Sequence, residues 1–119
     1  MDFETHINWD IMWCYDGWHP VADRLAARLP AWGHLSRIDP SQPLSEQVAH
    51  SDVLIPTTGL VDGTVIRAAR RCKLIAQPAA GTDNIALDVA REIGIPVTNA
   101  PGTSMSKGGI MVRDGCVCA

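Results

Sequence analysis

The feature that most constrains this chain is an alternation of short, mostly apolar runs with segments of helical periodicity. Four such runs lie at 7–14, 52–56, 73–77 and 95–99, and turn-forming residues follow each of them. Short apolar runs of this kind predict strands that are buried on both faces, as in parallel sheets covered by helices. The alternation therefore predicts an α/β fold.

Local signals predict the remaining elements. Residues 35–38 predict a short second strand, and residues 44–49 predict a brief helix. Pro20 suits the first turn of a longer helix, Asp62 suits the N-cap of another, and Gly94 suits the left-handed end of a third. Together these units predict a flavodoxin-like, doubly wound parallel sheet of about five strands.

The pattern does not extend over the whole chain. The 119 residues suit one compact domain, but the alternation ends at Gly102. Residues 104–119 contain three glycines and, apart from the short apolar run at 110–112, no helical or strand period. We therefore assign 1–103 to one incomplete domain and 104–119 to an irregular tail. Cys116 and Cys118 in this tail lack the further ligands of a zinc site, so no metal is expected.

Charge and hydropathy argue against several classes of partner. The net charge is −3 and the pI is near 5.7, whereas nucleic acids and anionic membranes select basic surfaces. No segment approaches the ~20 apolar residues of a membrane-spanning helix. The first ten residues are acidic and polar, unlike a signal peptide. The sequence thus favours a cytoplasmic protein, with neither nucleic acid nor membrane as its partner.

One loop stands out as a candidate binding site. Ligands of open parallel sheets bind at the carboxyl ends of the strands. Ala79, Ala80 and Gly81 follow one predicted strand, and their small side chains leave the backbone N–H groups open to an anion such as a carboxylate. The same residues are also typical of a tight turn that permits close packing. From residue types alone, both interpretations stay open.

Other polar and aromatic side chains give weaker indications. Asn99 could bind a ligand, although an Asn at this position more often satisfies its own turn. The histidines are dispersed and show no acidic partner at helical or strand spacing, so no catalytic role is expected for them. The tryptophans predict core packing, with Trp18 also able to line a pocket. The histidines are His6, His19, His34 and His50, and the tryptophans are Trp9, Trp13, Trp18 and Trp32.

Three catalytic or nucleotide-binding motifs are absent from the sequence. No G-x-G-x-x-G follows a strand, no G-x-x-x-x-G-K-[ST] occurs, and no G-x-S-x-G occurs. The 119 residues therefore predict neither a dinucleotide site, nor a nucleoside triphosphate site, nor a nucleophilic serine.

The segment from Ser51 to Thr103 resembles a known family. Its strongest matches are KLIAQ at 73–77, AGTDNI at 80–85 and GIPVTNAPG at 94–102, in that order and spacing. This combination is similar to the D-isomer-specific 2-hydroxyacid dehydrogenases, in the domain called catalytic or substrate-binding. Residues 1–50 resemble that family only in their rhythm of strands and helices.

The resemblance implies an oxidoreductase that acts on the CH–OH group of D-2-hydroxyacids and reversibly forms 2-oxoacids, with NAD or NADP as hydride partner. It implies that the backbone N–H groups of Ala80 and Gly81 hold the substrate carboxylate. It further implies that Thr58 and Gly59 close over the far end of the substrate, and that Ser104 faces the active site.

The departures from the family are large. The family continues into a long helix, a glycine fingerprint, and a catalytic Arg, His and carboxylate, and none of these occurs in the 119 residues. We therefore expect no catalytic residue in this chain, no cofactor bound to it and no activity from it alone. Ala86 stands where the family tends to have a capping Asp. An uncovered apolar face is also expected, with self-association through it.

Three hypotheses about function remain at this point. The first is a fragment of the dehydrogenase. The second is a non-catalytic module that binds a 2-oxoacid or hydroxyacid. The third, a flavodoxin-like regulator, would require an acidic cluster at the strand ends, and Asp16 alone does not supply one.

Overall fold

A five-stranded, all-parallel sheet lies at the centre of the computed structural model, which describes residues 8–100. The strand order is β2-β1-β3-β4-β5. This is the flavodoxin-like order, and it confirms the predicted fold class. The strands are β1 (Trp9–Trp13), β2 (Gly33–Arg37), β3 (Val53–Ile55), β4 (Leu74–Ala76) and β5 (Val97–Thr98).

Helices cover both faces of this sheet. They are α1 (His19–Arg28), α2 (Gly63–Ala68) and α3 (Leu87–Ile93), and a 3-10 helix spans Leu44–Glu46. Because side chains alternate along a strand, Leu54 points to one face and its neighbours Val53 and Ile55 to the other. The face of Leu54 packs against α2 and α3, whereas that of Val53 packs against Ala22 and Leu25 of α1.

Several element boundaries differ from the sequence prediction. The brief helix expected at 44–49 is a single 3-10 turn, and β5 spans two residues instead of 95–99. The second difference has a clear cause: the Ile95 N–H bonds the Ala90 carbonyl and so completes the end of α3, while Pro96 has no N–H to give to the sheet. β2 begins at Gly33, two residues earlier than predicted, and Ile7 lies outside the described residues.

The predicted helix ends are largely confirmed. Asp62 caps α2, since its Oδ1 accepts the Val65 N–H at 3.1 Å. Gly94 ends α3 in the left-handed region, with φ of 97°. Ala86 occupies the N-cap of α3 and supplies no side-chain hydrogen bond, so this helix begins without the cap that α2 has.

The tryptophans are only partly in the core. Trp13 is buried, as expected, but Trp18 and Trp32 are each 46% exposed, so the core role predicted for these two is wrong. Trp18 is the N-cap of α1 with φ of 56°, a position that leaves its indole beside solvent. Within the described residues, no helix is long and apolar enough to cross a membrane.

Candidate functional site

The loop after β4, residues 78–81, is held by its carbonyl groups. The Ala79 carbonyl accepts the Ala100 N–H at 3.2 Å, and the Ala80 carbonyl accepts Asn99 Nδ2 at 2.9 Å. The Gly81 carbonyl accepts Gln77 Nε2 at 2.9 Å. All three carbonyls are therefore fixed by donors of the surrounding protein. We call residues 78–81 the anion loop, for the reason given next.

The N–H groups of the anion loop have no such partners. Among residues 8–100, the N–H groups of Ala79, Ala80 and Gly81 donate no hydrogen bond to another protein atom. Ala79 and Ala80 are half-buried, Gly81 is exposed, and a Cβ added at Gly81 would meet nothing within 4 Å. Fixed carbonyls with successive unpartnered N–H groups in an open loop form a concavity suited to an anion.

A second loop lies opposite, between β3 and α2. We call residues 57–59 the threonine loop. Thr57 is buried and has φ of 53°, a left-handed conformation that is uncommon for a β-branched residue. Its carbonyl accepts Gln77 Nε2 at 2.8 Å and Asn84 Nδ2 at 3.0 Å, and the Gly59 carbonyl accepts the same Nδ2 at 2.6 Å.

The threonine loop packs tightly against the end of β1. The Gly59 N–H bonds the Pro56 carbonyl at 2.8 Å. A Cβ at Gly59 would overlap the Cys14 carbonyl oxygen and lie 3.0 Å from the Cys14 carbonyl carbon. Glycine is thus required here for space, and the close approach fixes the loop beside the carboxyl end of β1, whose following helix covers the opposite face of the sheet from α2.

The two loops flank an open cavity of about 330 Å³. Of the residues predicted from sequence, Thr58 and Gly81 line it, while Gly59 and Ala80 belong to the same two loops without lining it. Ser104 lies outside the described residues. The cavity is lined by Thr57, Thr58, Gln77, Ala79, Gly81, Asp83 and Asn84.

Sequence reasoning missed Gln77 and Asn84 as site residues. Both side chains bond backbone carbonyls of the loops, and Gln77 is 4% exposed. One signal was present for Gln77, because a polar residue closes an otherwise apolar strand. Asn84 gave no comparable signal, since its carbonyl partners are 25 and 27 residues away in sequence.

Histidine and cysteine side chains do not contribute to the cavity. His19 Nε2 lies 3.5 Å from Asp16 Oδ1, which corrects the expectation that no histidine has an acidic partner. Both groups are more than half exposed and lie outside the cavity lining. Burial raises the pKa of the Cys14 thiol to about 12, so this group is not an available nucleophile. Cys14 and Cys72 are otherwise core residues, as predicted.

Two features of the described residues bear on metal and dinucleotide binding. No three His, Cys, Asp or Glu side chains gather within residues 8–100, and Cys116 and Cys118 lie outside that range. In dinucleotide-binding folds the pyrophosphate sits at the first strand–helix turn. Here that turn carries the acidic Asp16 and ends in Trp18, a bulky left-handed N-cap where close backbone approach to a phosphate would be needed.

Comparison with known proteins agrees with the resemblance noted from sequence. A family model described as D-isomer specific 2-hydroxyacid dehydrogenase, catalytic domain, matches residues 33–107. A glyoxylate reductase from Thermococcus litoralis is 42% identical over 69 residues, which cover 54% of this chain and 21% of that protein. A D-3-phosphoglycerate dehydrogenase from Methanocaldococcus jannaschii is 39% identical over 64 residues, which cover 53% of this chain and 12% of that protein.

A solved structure shows the same fold. The cofactor(NAD+)-bound 3-phosphoglycerate dehydrogenase of Entamoeba histolytica matches with a TM-score of 0.68 at 21% identity, over 81% of this chain and 34% of that one. This chain therefore spans about a fifth or less of the length of the two curated relatives, and about a third of the solved structure.

Proposed function

This chain belongs to the D-isomer-specific 2-hydroxyacid dehydrogenase family, and from that membership we propose that it forms the substrate-binding part of an oxidoreductase that interconverts D-2-hydroxyacids and 2-oxoacids. The observation that carries this proposal is the anion loop. The carbonyls of Ala79, Ala80 and Gly81 are all bonded to the protein, and the N–H groups of Ala80 and Gly81 are unpartnered among the described residues.

The proposed ligand group is the carboxylate of a small acid. Two N–H groups that bond one carboxylate would each contribute about 1.5–3 kcal/mol, since the acceptor is charged. The cavity of about 330 Å³ lies at the lower end of the size range of small-molecule sites, which favours a short acid. We propose that Thr58 and Gly59 close over its far end, and that Ser104 completes the site.

Hydride transfer requires further groups. The reaction needs a nicotinamide cofactor, NAD or NADP, held against the substrate carbon, and an acid–base group beside it. We expect the described residues to supply neither group, because the first strand–helix turn ends in the bulky, left-handed Trp18 and Asp83 is the one titratable side chain among the described residues that line the cavity. We therefore expect no turnover from the 119 residues alone.

Acid binding can be tested by calorimetric titration of the 119-residue chain with pyruvate and with D-lactate. Saturable binding is expected without any cofactor. Replacing Asp83→Asn removes a negative charge from the cavity lining, so affinity for pyruvate should rise about two- to five-fold. Asp88→Asn is the matched control, since Asp88 is an exposed carboxylate on α3 outside the cavity.

The neutral analogue lactamide separates carboxylate recognition from unspecific binding. It lacks the charge that the anion loop is proposed to hold, so it should compete weakly and should not respond to Asp83→Asn. The proposal fails if neither acid binds saturably, or if lactamide competes as well as D-lactate does.

The non-catalytic acid-binding module remains the second candidate. The anion loop supports it, because Gln77, Asn99 and Ala100 hold that loop without any contribution from a further domain. An assay with NADH and pyruvate separates the two candidates, because the absorbance of NADH falls as it is oxidised. Oxidation of NADH by a longer gene product that contains this sequence supports the dehydrogenase, whereas acid binding without oxidation supports the module.

We also propose a cytoplasmic location and self-association. The free thiols of Cys14 and Cys72 are typical of a reducing compartment. Self-association would use an apolar groove of about 300 Å³ between α1 and the sheet, which we call the α1 groove. Its lining residues are Trp13, Val21, Leu25, Ile55, Ala76, Gln77 and Pro78.

A further inference from the structure

Two side-chain amides join the loops that flank the cavity. Gln77 Nε2 donates to the Thr57 carbonyl at 2.8 Å and to the Gly81 carbonyl at 2.9 Å, so one nitrogen holds both the threonine loop and the anion loop. Asn84 Nδ2 donates to the Thr57 carbonyl at 3.0 Å and to the Gly59 carbonyl at 2.6 Å. Gln77 Nε2 also lies 3.3 Å from Asn84 Oδ1, which links the two amides.

The bridge lies where solvent has little access. Gln77 and Thr57 are 4% and 1% exposed. The left-handed backbone of Thr57 is unfavourable for a β-branched residue and persists only where its surroundings hold it, and here both amides bond its carbonyl.

The oxygen of the Gln77 amide is in an energetically unfavourable position. Gln77 Oε1 is buried and has no hydrogen-bond partner among the described residues. An unsatisfied buried acceptor destabilises a fold, and an apolar side chain of similar size would avoid that loss. Packing alone therefore does not explain a glutamine here, whereas the two carbonyls bonded by its nitrogen do.

We infer that Gln77 and Asn84 are positioning residues that set the separation between the anion loop and the threonine loop, and through it the affinity of the site for small 2-oxoacids. The inference rests on the proposed function. Neither side chain needs to touch the ligand. Each acts by donating to backbone carbonyls. The N–H groups of the anion loop take no part in these bonds and stay available for the carboxylate.

The first test compares pyruvate binding by the 119-residue chain and by Gln77→Met. Methionine keeps the length of the side chain and removes the bridging nitrogen. We expect the affinity for pyruvate to fall at least ten-fold, because the anion loop loses one of its fixed carbonyls and the threonine loop loses one of its two anchors.

Gln47→Met is the matched control. Gln47 Nε2 also bonds three backbone carbonyls, those of Asp39, Gln42 and Pro43, but it lies outside the cavity lining. This variant should lower the melting temperature, because it removes a comparable set of hydrogen bonds, and should leave the affinity for pyruvate within two-fold of the unsubstituted chain.

A second variant, Gln77→Glu, separates positioning from simple loss of stability. An ionised carboxylate would face the carbonyl oxygens of Thr57 and Gly81 and repel them, whereas a protonated carboxyl can donate to one of them. Burial would raise the pKa of such a glutamate. Pyruvate stays ionised from about pH 5 to about pH 8, so binding should weaken as pH rises in Gln77→Glu.

The unsubstituted chain supplies the baseline for that pH profile. Asp83 is the titratable group that lines the same cavity, and it is present in both proteins, so their difference isolates position 77. Asn84→Ala gives an independent reading if Gln77→Met does not fold, and its affinity for pyruvate should also fall at least ten-fold.

The outcomes distinguish the inference from the function on which it rests. If the unsubstituted chain binds no pyruvate, both are overturned, since there is no site to position. If it binds pyruvate and the folded Gln77 and Asn84 variants bind equally well at every pH, the positioning role alone is overturned. A loss of affinity in Gln47→Met as large as that in Gln77→Met would also overturn it.

Discussion

Gly59 shows how a single residue fixes one of the two loops beside the cavity. Alanine at this position would bring a methyl group into the Cys14 carbonyl, which is backbone and cannot turn aside. We expect Gly59→Ala to lower the free energy of unfolding by about 2–3 kcal/mol, the range of an overpacked site, and to displace the threonine loop. Urea denaturation measures the first effect, and titration with pyruvate measures the second.

Gly81 provides the contrasting case. It lies in the anion loop, and a Cβ there would meet nothing within 4 Å. Gly81→Ala should therefore change the free energy of unfolding by less than about 1 kcal/mol. Equal destabilisation by the two substitutions would show that the close approach at Gly59 does not determine its effect.

Asp52 is a buried carboxylate just before β3, at the amino ends of the strands and therefore at the opposite end of the sheet from the cavity. Its Oδ2 accepts the Asp10 N–H at 2.8 Å, and its Oδ1 lies 3.0 Å from Lys73 Nζ and 3.4 Å from Arg71 Nη2. Burial alone would raise the pKa of this carboxyl, but the Asp10 hydrogen bond and the two cations outweigh it, so that the pKa is lowered.

This lowered pKa predicts an acid-sensitive contribution to stability. Because the folded state favours the carboxylate, the contribution is fully present above the ordinary pKa of 3.8 and is lost as pH falls through the lower folded value. Asp52→Asn should cost about 1–3 kcal/mol at pH 7. The difference from the unsubstituted chain should shrink below pH 3.8, as measured by urea denaturation at a series of pH values. A difference that stays constant with pH would contradict this account.

At the scale of elements, α2 and α3 differ in their caps. Asp62 caps α2 through the Val65 N–H, whereas Ala86 begins α3 without a side-chain bond. Asp62→Ala should lower, and Ala86→Asp should raise, the free energy of unfolding by about 1 kcal/mol each. Thermal denaturation checks both.

Ala86→Asn distinguishes the capping bond from charge. Asparagine can accept the same N–H without a negative charge at the helix end, so it should retain most of the gain. No gain from either substitution would mean that the first turn of α3 does not admit a side-chain cap.

Elements were predicted better than their ends. The apolar runs predicted β3 and β4 to within one residue at each end, and Asp62 and Gly94 marked the helix ends where the structure has them, because strand burial and capping are local properties. β5 is shorter than predicted because the Ile95 N–H bonds the Ala90 carbonyl at the end of α3 and so does not join the sheet. Local patterns do not encode such competition for backbone donors.

At the scale of the whole molecule, the α1 groove predicts self-association. Val21 on α1 is 46% exposed beside this groove. The sedimentation coefficient should rise with concentration, and Val21→Glu should reduce that rise because it places a charge in an apolar contact. Ile93→Glu is the matched control, since Ile93 is 47% exposed on α3, which covers the other face of the sheet.

Two results would contradict this prediction. One is a sedimentation coefficient that does not change with concentration in the unsubstituted chain. The other is an equal effect of Val21→Glu and Ile93→Glu, which would indicate a general response to added charge instead of a contact through the α1 groove.

The sequence alone determined the fold class and the family, and it marked residues 79–81 as a candidate site, because strand burial, small loop residues and the order of three motifs are all encoded over short distances. Only the tertiary structure showed which groups of residues 79–81 are bonded to the rest of the protein. Donors from Gln77, Asn99 and Ala100 fix the loop carbonyls from other parts of the fold, and this arrangement supports the proposed anion site. The threonine loop is held by Asn84 from 25 residues away, and no local pattern carries such a contact.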